Sequence, residues 1–140
     1  MSRARILIVE DEAIVAMDLQ GRLTALGYET PGVAASGEEA LRLTESASPD
    51  LVLMDIRLAG AMDGIAAAER LRDRFGLPVV FLTAYADDDT LERAKFADPF
   101  GYLLKPFQDR ELRTTIEMAL YKHRADRNLR RLTRMYAILS

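Results

Sequence analysis

The sequence predicts an α/β fold: a doubly wound, five-stranded parallel sheet with helices on both faces and an extended C-terminal helix. Short apolar runs at Ile6-Leu7-Ile8-Val9, Leu51-Val52-Leu53-Met54, Val79-Val80-Phe81-Leu82 and Tyr102-Leu103-Leu104 have the length of strands buried on both faces. Helical apolar spacing separates them, and right-handed crossovers between successive parallel strands place each helix on one face or the other. Each run also ends in residues suited to phosphoryl chemistry: Glu10 and Asp11, then Asp55, Thr83 and Lys105. Ligands of open parallel sheets gather beyond the carboxyl ends of the strands, so these residues are expected to meet at one edge.

The elements follow in order. A strand from Arg5 to Val9 leads into a helix over Glu12–Leu26, with Ile14, Met17, Leu19, Leu23 and Leu26 at helical spacing and Gly27 as its stop. Tyr28–Ala34 reads as a weaker strand that Pro31 and Gly32 make an edge or irregular one. Ser36-Gly37-Glu38-Glu39 matches a capping box, in which the Ser hydroxyl and the Glu three residues later satisfy the first free amides; its helix should reach about Ser46. Leu51–Met54 is the third strand, Ala59–Gly64 a loop, and Ile65–Phe75 a helix ending before Gly76. Pro78 opens the fourth strand, a helix is expected from about Asp87 to Phe96, Gly101–Leu104 is the fifth strand, and a last long helix starts at Gln108.

A length of 140 residues suits one domain, and 49% apolar with 29% charged residues is ordinary globular composition. There is neither a long apolar span nor a charged-then-apolar leader, which predicts a cytoplasmic protein without membrane attachment. The lack of cysteine excludes disulfides, thiolate zinc sites and a cysteine nucleophile. The net charge of −3 is uneven: residues 121–140 hold six basic residues against Asp126 alone, and the first 120 hold 13 basic against 21 acidic. A nucleic-acid or membrane tail is one reading of that asymmetry, but the same stretch shows a helical apolar spacing that needs another explanation. Direct nucleic-acid binding is not expected, since no second domain carries a recognition-helix motif.

Glu10, Asp11 and Asp55 would bring three carboxylates within a few ångströms, and such like charges repel unless a hard divalent cation sits among them. Mg²⁺, which prefers oxygen ligands and keeps waters, is the natural candidate. A carboxylate beside it can attack a phosphoryl donor, while an ammonium and a hydroxyl stabilise the transferred oxygens. Lys105 and Thr83 supply these groups. Each residue alone also has a plain structural reading: first-turn acids for Glu10 and Asp11, a turn former at Asp55, a cap at Thr83, a surface charge at Lys105, a core aromatic at Tyr102. His123, the one histidine, reads as a solvated helix residue. Convergence of the others on one edge is what favours the chemical reading.

With these residues in place the chain resembles the receiver domain of two-component response regulators, on the segments Ile8-Val9-Glu10-Asp11-Glu12, Leu53-Met54-Asp55, Met62-Asp63-Gly64, Phe81-Leu82-Thr83-Ala84 and Leu104-Lys105-Pro106, spanning roughly residues 4 to 121. The resemblance implies a flavodoxin-like receiver over residues 1–121, with 122–140 extending the last helix. It implies that Asp55 accepts a phosphoryl group from a phosphohistidine on a sensor histidine kinase or phosphotransfer protein. Glu10, Asp11, Asp55 and the main-chain carbonyl of Arg57 would hold Mg²⁺, directly or through water, and Lys105 would contact the phosphoryl group. Thr83 would move toward it, and Tyr102 would rotate to report that movement on the face made by the fourth helix, fifth strand and last helix. A cis Lys105–Pro106 bond is implied, and no enzymatic activity beyond self-phosphorylation and autodephosphorylation.

The loop from Ile56 to Gly64 departs from the commonest receiver pattern, lacking a Met-Pro pair and running one residue longer. Arg57 and Tyr85, each two residues beyond a site residue, are bulky; in this family such positions tune access of water, and slow phosphate loss is expected. Two other functions compete. A phosphate-independent interaction module on the same fold is one. An aspartyl-phosphate phosphohydrolase of the haloacid-dehalogenase type is the other, and it would need an acid where Arg57 stands and a cap domain. Beyond Leu120 the chain continues without Gly or Pro, and Leu129, Leu132, Tyr136 and Leu139 follow three-and-four spacing, a short coiled-coil signature. A homodimer is expected there, with a fraying helix end as the alternative. The apolar Tyr136–Leu139 end suggests a linker to a covalently attached output or sensor module.

Overall fold

The computed structural model describes residues 3–58, 60–84, 92 and 100–139. It is a five-stranded, wholly parallel sheet in the order β2-β1-β3-β4-β5, formed by β1 (Ile6–Val9), β2 (Val33–Ala34), β3 (Leu51–Asp55), β4 (Val79–Thr83) and β5 (Gly101–Leu104). The described helices are α1 (Ala13–Ala25), α2 (Gly37–Ala47), α3 (Gly64–Phe75) and α4 (Asp109–Leu139). The expected helix over Asp87–Phe96 lies outside the described residues except for Glu92, which is helical.

The strand runs alternate between two cores. Leu7, Val9, Val52, Met54, Val79 and Phe81 point to the face covered by α2 and α3, while Ile6, Ile8, Leu51, Leu53, Val80 and Leu82 point to the face covered by α1 and α4. Successive side chains of a strand face opposite ways, so a run of four apolar residues is what a strand covered on both sides requires. Burying each such side chain contributes about 1.5–3 kcal/mol.

Two expectations are corrected. In α1 the face against the sheet is Ala16, Leu19 and Leu23, whereas Ile14 and Met17 are 83% and 71% exposed. Apolar residues occur on both sides of this helix, so spacing alone did not identify its inner face. The edge strand β5 is buried on one face only: Leu103 is covered, but Tyr102 and Leu104 are exposed. The second strand is the irregular edge strand expected: Val33–Ala34 ladders with β1, and an isolated bridge joins Glu29 to Arg5. Pro31, which has no amide hydrogen, interrupts it.

The helix starts follow capping chemistry. Ser36 Oγ accepts from the Glu39 amide at 3.2 Å, and the Glu39 carboxylate reaches back to the Ala35 amide, one residue before the capping serine. Asp63 Oδ1 caps α3 by accepting from the Ala66 amide at 2.9 Å, and Gly76 ends that helix with φ 65°, where a side chain would be strained. Arg22 on α1 donates to the Phe107 carbonyl, pairs with Asp109 and lies over the Phe107 ring, which ties α1 to the start of α4.

Helix α4 packs on the sheet through Leu112, Ile116, Ala119 and Leu120. Past Leu120 its side chains are exposed, with one exception: His123 is half-buried, its Nε2 donates to the Gly76 carbonyl at 2.6 Å, and its ring meets Phe100 edge-on. The solvated role expected of His123 is therefore replaced by a tether between α4 and the end of α3. No described helix is long and apolar enough to cross a membrane.

Candidate functional site

Strand register brings the chemistry together. Val9 pairs with Met54, so Glu10 follows β1 beside Asp55, the last residue of β3; Thr83 ends β4 and pairs with Leu104, so Lys105 follows β5 beside it. The Ile56 amide donates to the Leu82 carbonyl and the Lys105 amide to the Thr83 carbonyl, which extends the ladders by one residue at this edge. All the parallel strands run the same way, so every terminal residue emerges at the same end of the sheet.

Oxygens of Glu10, Asp11 and Asp55 lie within 4.8 Å of one another. Glu10 is 2% exposed and Asp55 9%, while Asp11 is exposed. The Glu10 carboxylate accepts from the Glu12 amide at 3.2 Å, and Asp55 Oδ1 accepts from the Arg57 amide at 3.1 Å. Lys105 Nζ stands 3.4 Å from Glu10 Oε2 and 3.7 Å from Asp55 Oδ2. The Lys105–Pro106 bond is cis.

Burial, then hydrogen bonding to Asp55 and the Asp55 charge, push the Glu10 carboxyl up to about 7; the Glu12 amide and the Lys105 ammonium oppose this. A buried carboxyl held this far above its ordinary value is the electrostatic mark of a site with too much negative charge. The donor set fits a hard divalent cation, which would replace the Glu10 proton and satisfy oxygens that one lysine leaves in excess. Glu10, Asp11 and Asp55 are the residues that could hold it.

Thr83 is 5% exposed. Tyr102, on the neighbouring strand, has its ring centroid 6.2 Å from that of Phe81, in a tilted arrangement on the α3 side of the sheet. Arg57 meets the site through its main chain, directly beside Asp55. Tyr85 lies outside the described residues.

Gly64 has a role that the sequence did not disclose. A Cβ placed on it would stand 2.1 Å from the Asp55 carbonyl oxygen and 2.9 Å from Ile56 Cα, and its amide donates to the Ile56 carbonyl at 3.0 Å. Only a residue without a side chain lets the first turn of α3 lie against the backbone that carries Asp55. The Asp63-Gly64 pair was the available signal, but it reads equally as a turn. A cavity of about 1050 Å³ lies elsewhere, lined by Arg3, Arg72, Phe75 and the α4 arginines from Arg124 to Arg134.

A parallel sheet of this order with an acidic cluster, a hydroxyl and an amine at its carboxyl edge defines a receiver. The family model "response regulator receiver domain" matches residues 6–117, and the chain belongs to that family. It is 43% identical over 120 residues to the transcriptional regulatory protein PdtaR of Mycobacterium tuberculosis, a match covering 86% of this chain and 58% of that protein. It is 40% identical over 118 residues to the phyllosphere-induced regulator PhyR of Methylorubrum extorquens, covering 83% of this chain and 43% of that protein. The chain thus spans little more than half of the first relative and less than half of the second. Among solved structures, the signal receiver domain of a modulated diguanylate cyclase from Desulfovibrio desulfuricans matches with a TM-score of 0.85 and 42% identity, over 89% of this chain and 99% of that one. A yeast Spc42 trimeric coiled-coil segment fused to another protein matches over 99% of this chain and 95% of that one, with a TM-score of 0.83 and 34% identity.

Proposed function

We propose that this chain is a phosphoacceptor switch in which Asp55 receives a phosphoryl group from a phosphohistidine of a sensor histidine kinase or phosphotransfer protein. The observation that carries the reading is the position of the Asp55 carboxylate between Lys105 Nζ, at 3.7 Å, and the Glu10–Asp11 pair. An Asp55 oxygen forms the new O–P bond as the P–N bond to the histidine breaks, and the imidazole nitrogen leaves with the electron pair and takes up a proton. Lys105 shifts from Asp55 and Glu10 toward the transferred oxygens. Glu10, Asp11, Asp55 and the Arg57 carbonyl would hold Mg²⁺, directly or through water, and the ion would supply positive charge to offset that of the phosphoryl group. Thr83 then bonds a phosphoryl oxygen and Tyr102 repacks, which changes the β5 face that a partner or an attached output module reads. Arg57 restricts water at the acyl phosphate and prolongs its life. The chain is a switch in this reading, without substrate turnover beyond its own phosphorylation and dephosphorylation, and it acts in the cytoplasm.

Intact-protein mass after incubation with acetyl phosphate and Mg²⁺ tests this. One added phosphoryl group is expected on the native chain and none on Asp55→Asn. No addition to the native chain, under conditions that modify a control receiver, would sink the proposal in favour of a phosphate-independent module.

A further inference from the structure

We infer that a second copy of this chain packs along the exposed seam of α4 as a parallel, two-stranded coiled coil. Leu129, Leu132, Tyr136 and Leu139 occupy alternating three-and-four positions, and the same register runs back through Ala125 and Lys122 to Met118. The seam is exposed throughout: Leu129 is 65% accessible, Tyr136 71% and Leu139 80%. The His123 tether to Gly76 fixes the rotation of the helix about its axis at its root, so the seam is turned away from its own domain.

The charges settle what can cover this seam. Arg124, Arg127, Arg130, Arg131 and Arg134 all fall on the three heptad positions most distant from the seam, where they line the cavity against the other face of the helix. The positions flanking the seam hold Asp126 and Thr133 on one side and Tyr121, Asn128 and Met135 on the other, with no basic residue. Apart from Lys122, whose ammonium can turn outward, the basic residues of this tail therefore stand off the seam that meets a partner helix of identical sequence. The uneven charge of the chain is thus the solvated outer face of a paired helix, and nucleic acid is not needed to explain it.

Orientation follows from the layers. In parallel register each residue meets its own copy, giving leucine layers at 129, 132 and 139, while the two Lys122 stems lie along the seam with their ammonium groups outward. Antiparallel pairing that keeps Leu129 against Leu132 breaks up these layers, setting Leu139 against Lys122 and Tyr136 against Ala125.

The chain has no cysteine, so single substitutions report geometry directly. Leu132→Cys and Leu139→Cys are each expected to give a covalent dimer on mild oxidation, and Arg134→Cys is expected to stay monomeric. In the antiparallel alternative the two thiols introduced by Leu139→Cys would stand roughly 25 Å apart at ~1.5 Å per residue. Dimer from Leu132→Cys without dimer from Leu139→Cys therefore overturns the parallel arrangement. A native chain that sediments as a monomer at high concentration overturns the pairing itself. Leu129→Asp should abolish association while helix content and phosphoryl uptake at Asp55 remain; loss of uptake with it would mean that the part of α4 beyond Leu120 also supports the receiver core and would overturn a separate seam. This inference stands apart from the chemistry of Asp55, and the two can fail independently.

Discussion

Replacing Glu10 by Gln should stabilise the metal-free protein at pH 8 while weakening its hold on a divalent cation. The folded carboxyl is raised from 4.5 to about 7, chiefly by burial and then by Asp55. At ~1.4 kcal/mol per unit, the ionised form costs the fold about 3 kcal/mol relative to the unfolded chain once the pH exceeds 7. The sign follows from proton binding: between about 4.5 and 7 the native state holds the Glu10 proton and the unfolded state does not, so native stability falls as pH rises through that window. Gln carries no charge, can still accept from the Glu12 amide, and can donate to Asp55. The variant should therefore gain up to about 3 kcal/mol at pH 8 in EDTA, roughly 6–12 °C in Tm for a domain of this size, and under about 1 kcal/mol at pH 5. Adding Mg²⁺ should narrow or reverse the difference, because binding stabilises the native chain more. Thermal melts at the two pH values, with EDTA and with Mg²⁺, supply the comparison. A variant no more stable than the native chain at pH 8, or a gain of equal size at pH 5, would refute the electrostatic reading of the site.

Three further outcomes are expected. Lys105→Ala should slow phosphoryl uptake from acetyl phosphate by roughly 10²-fold or more with Asp55 still the acceptor, followed by intact mass over time; an unchanged rate would remove Lys105 from the transfer step. Gly64→Ala places a methyl carbon 2.1 Å from the Asp55 carbonyl oxygen and should cost about 1–3 kcal/mol in chemical denaturation and slow uptake as well, through displacement of the Asp55 backbone. Arg57→Ala should shorten the lifetime of the phosphorylated chain, measured as decay of the modified mass, and an unaltered decay would mean that this side chain does not gate water.

Much of this protein was legible in its residues because local pattern and covalent order are enough for it. Apolar runs of three or four residues marked four of the five strands, and the residue after each run was bound to emerge at the carboxyl edge once the strands were parallel. Ser36 announced a helix start through a side chain that acts only a few residues away, whereas the matching cap at Asp63 emerged only in the structure. Tertiary structure alone decided what depends on neighbours distant in sequence. Ile14 and Met17 obey helical spacing but face outward, because Ala16, Leu19 and Leu23 are the residues that meet Ile6, Ile8 and Leu53. Tyr102 and Leu104 are apolar but exposed, because their strand is the sheet's edge. The Glu10 carboxyl is raised only because the fold buries it and register places the Asp55 carboxylate, 45 residues away, beside it; Gly64 is required only because α3 crosses the Asp55 backbone, and His123 finds its acceptor at Gly76 only because α4 lies across the end of α3. Periodicity is written along the chain, whereas burial and charge proximity come from contacts that exist only after the sheet has formed.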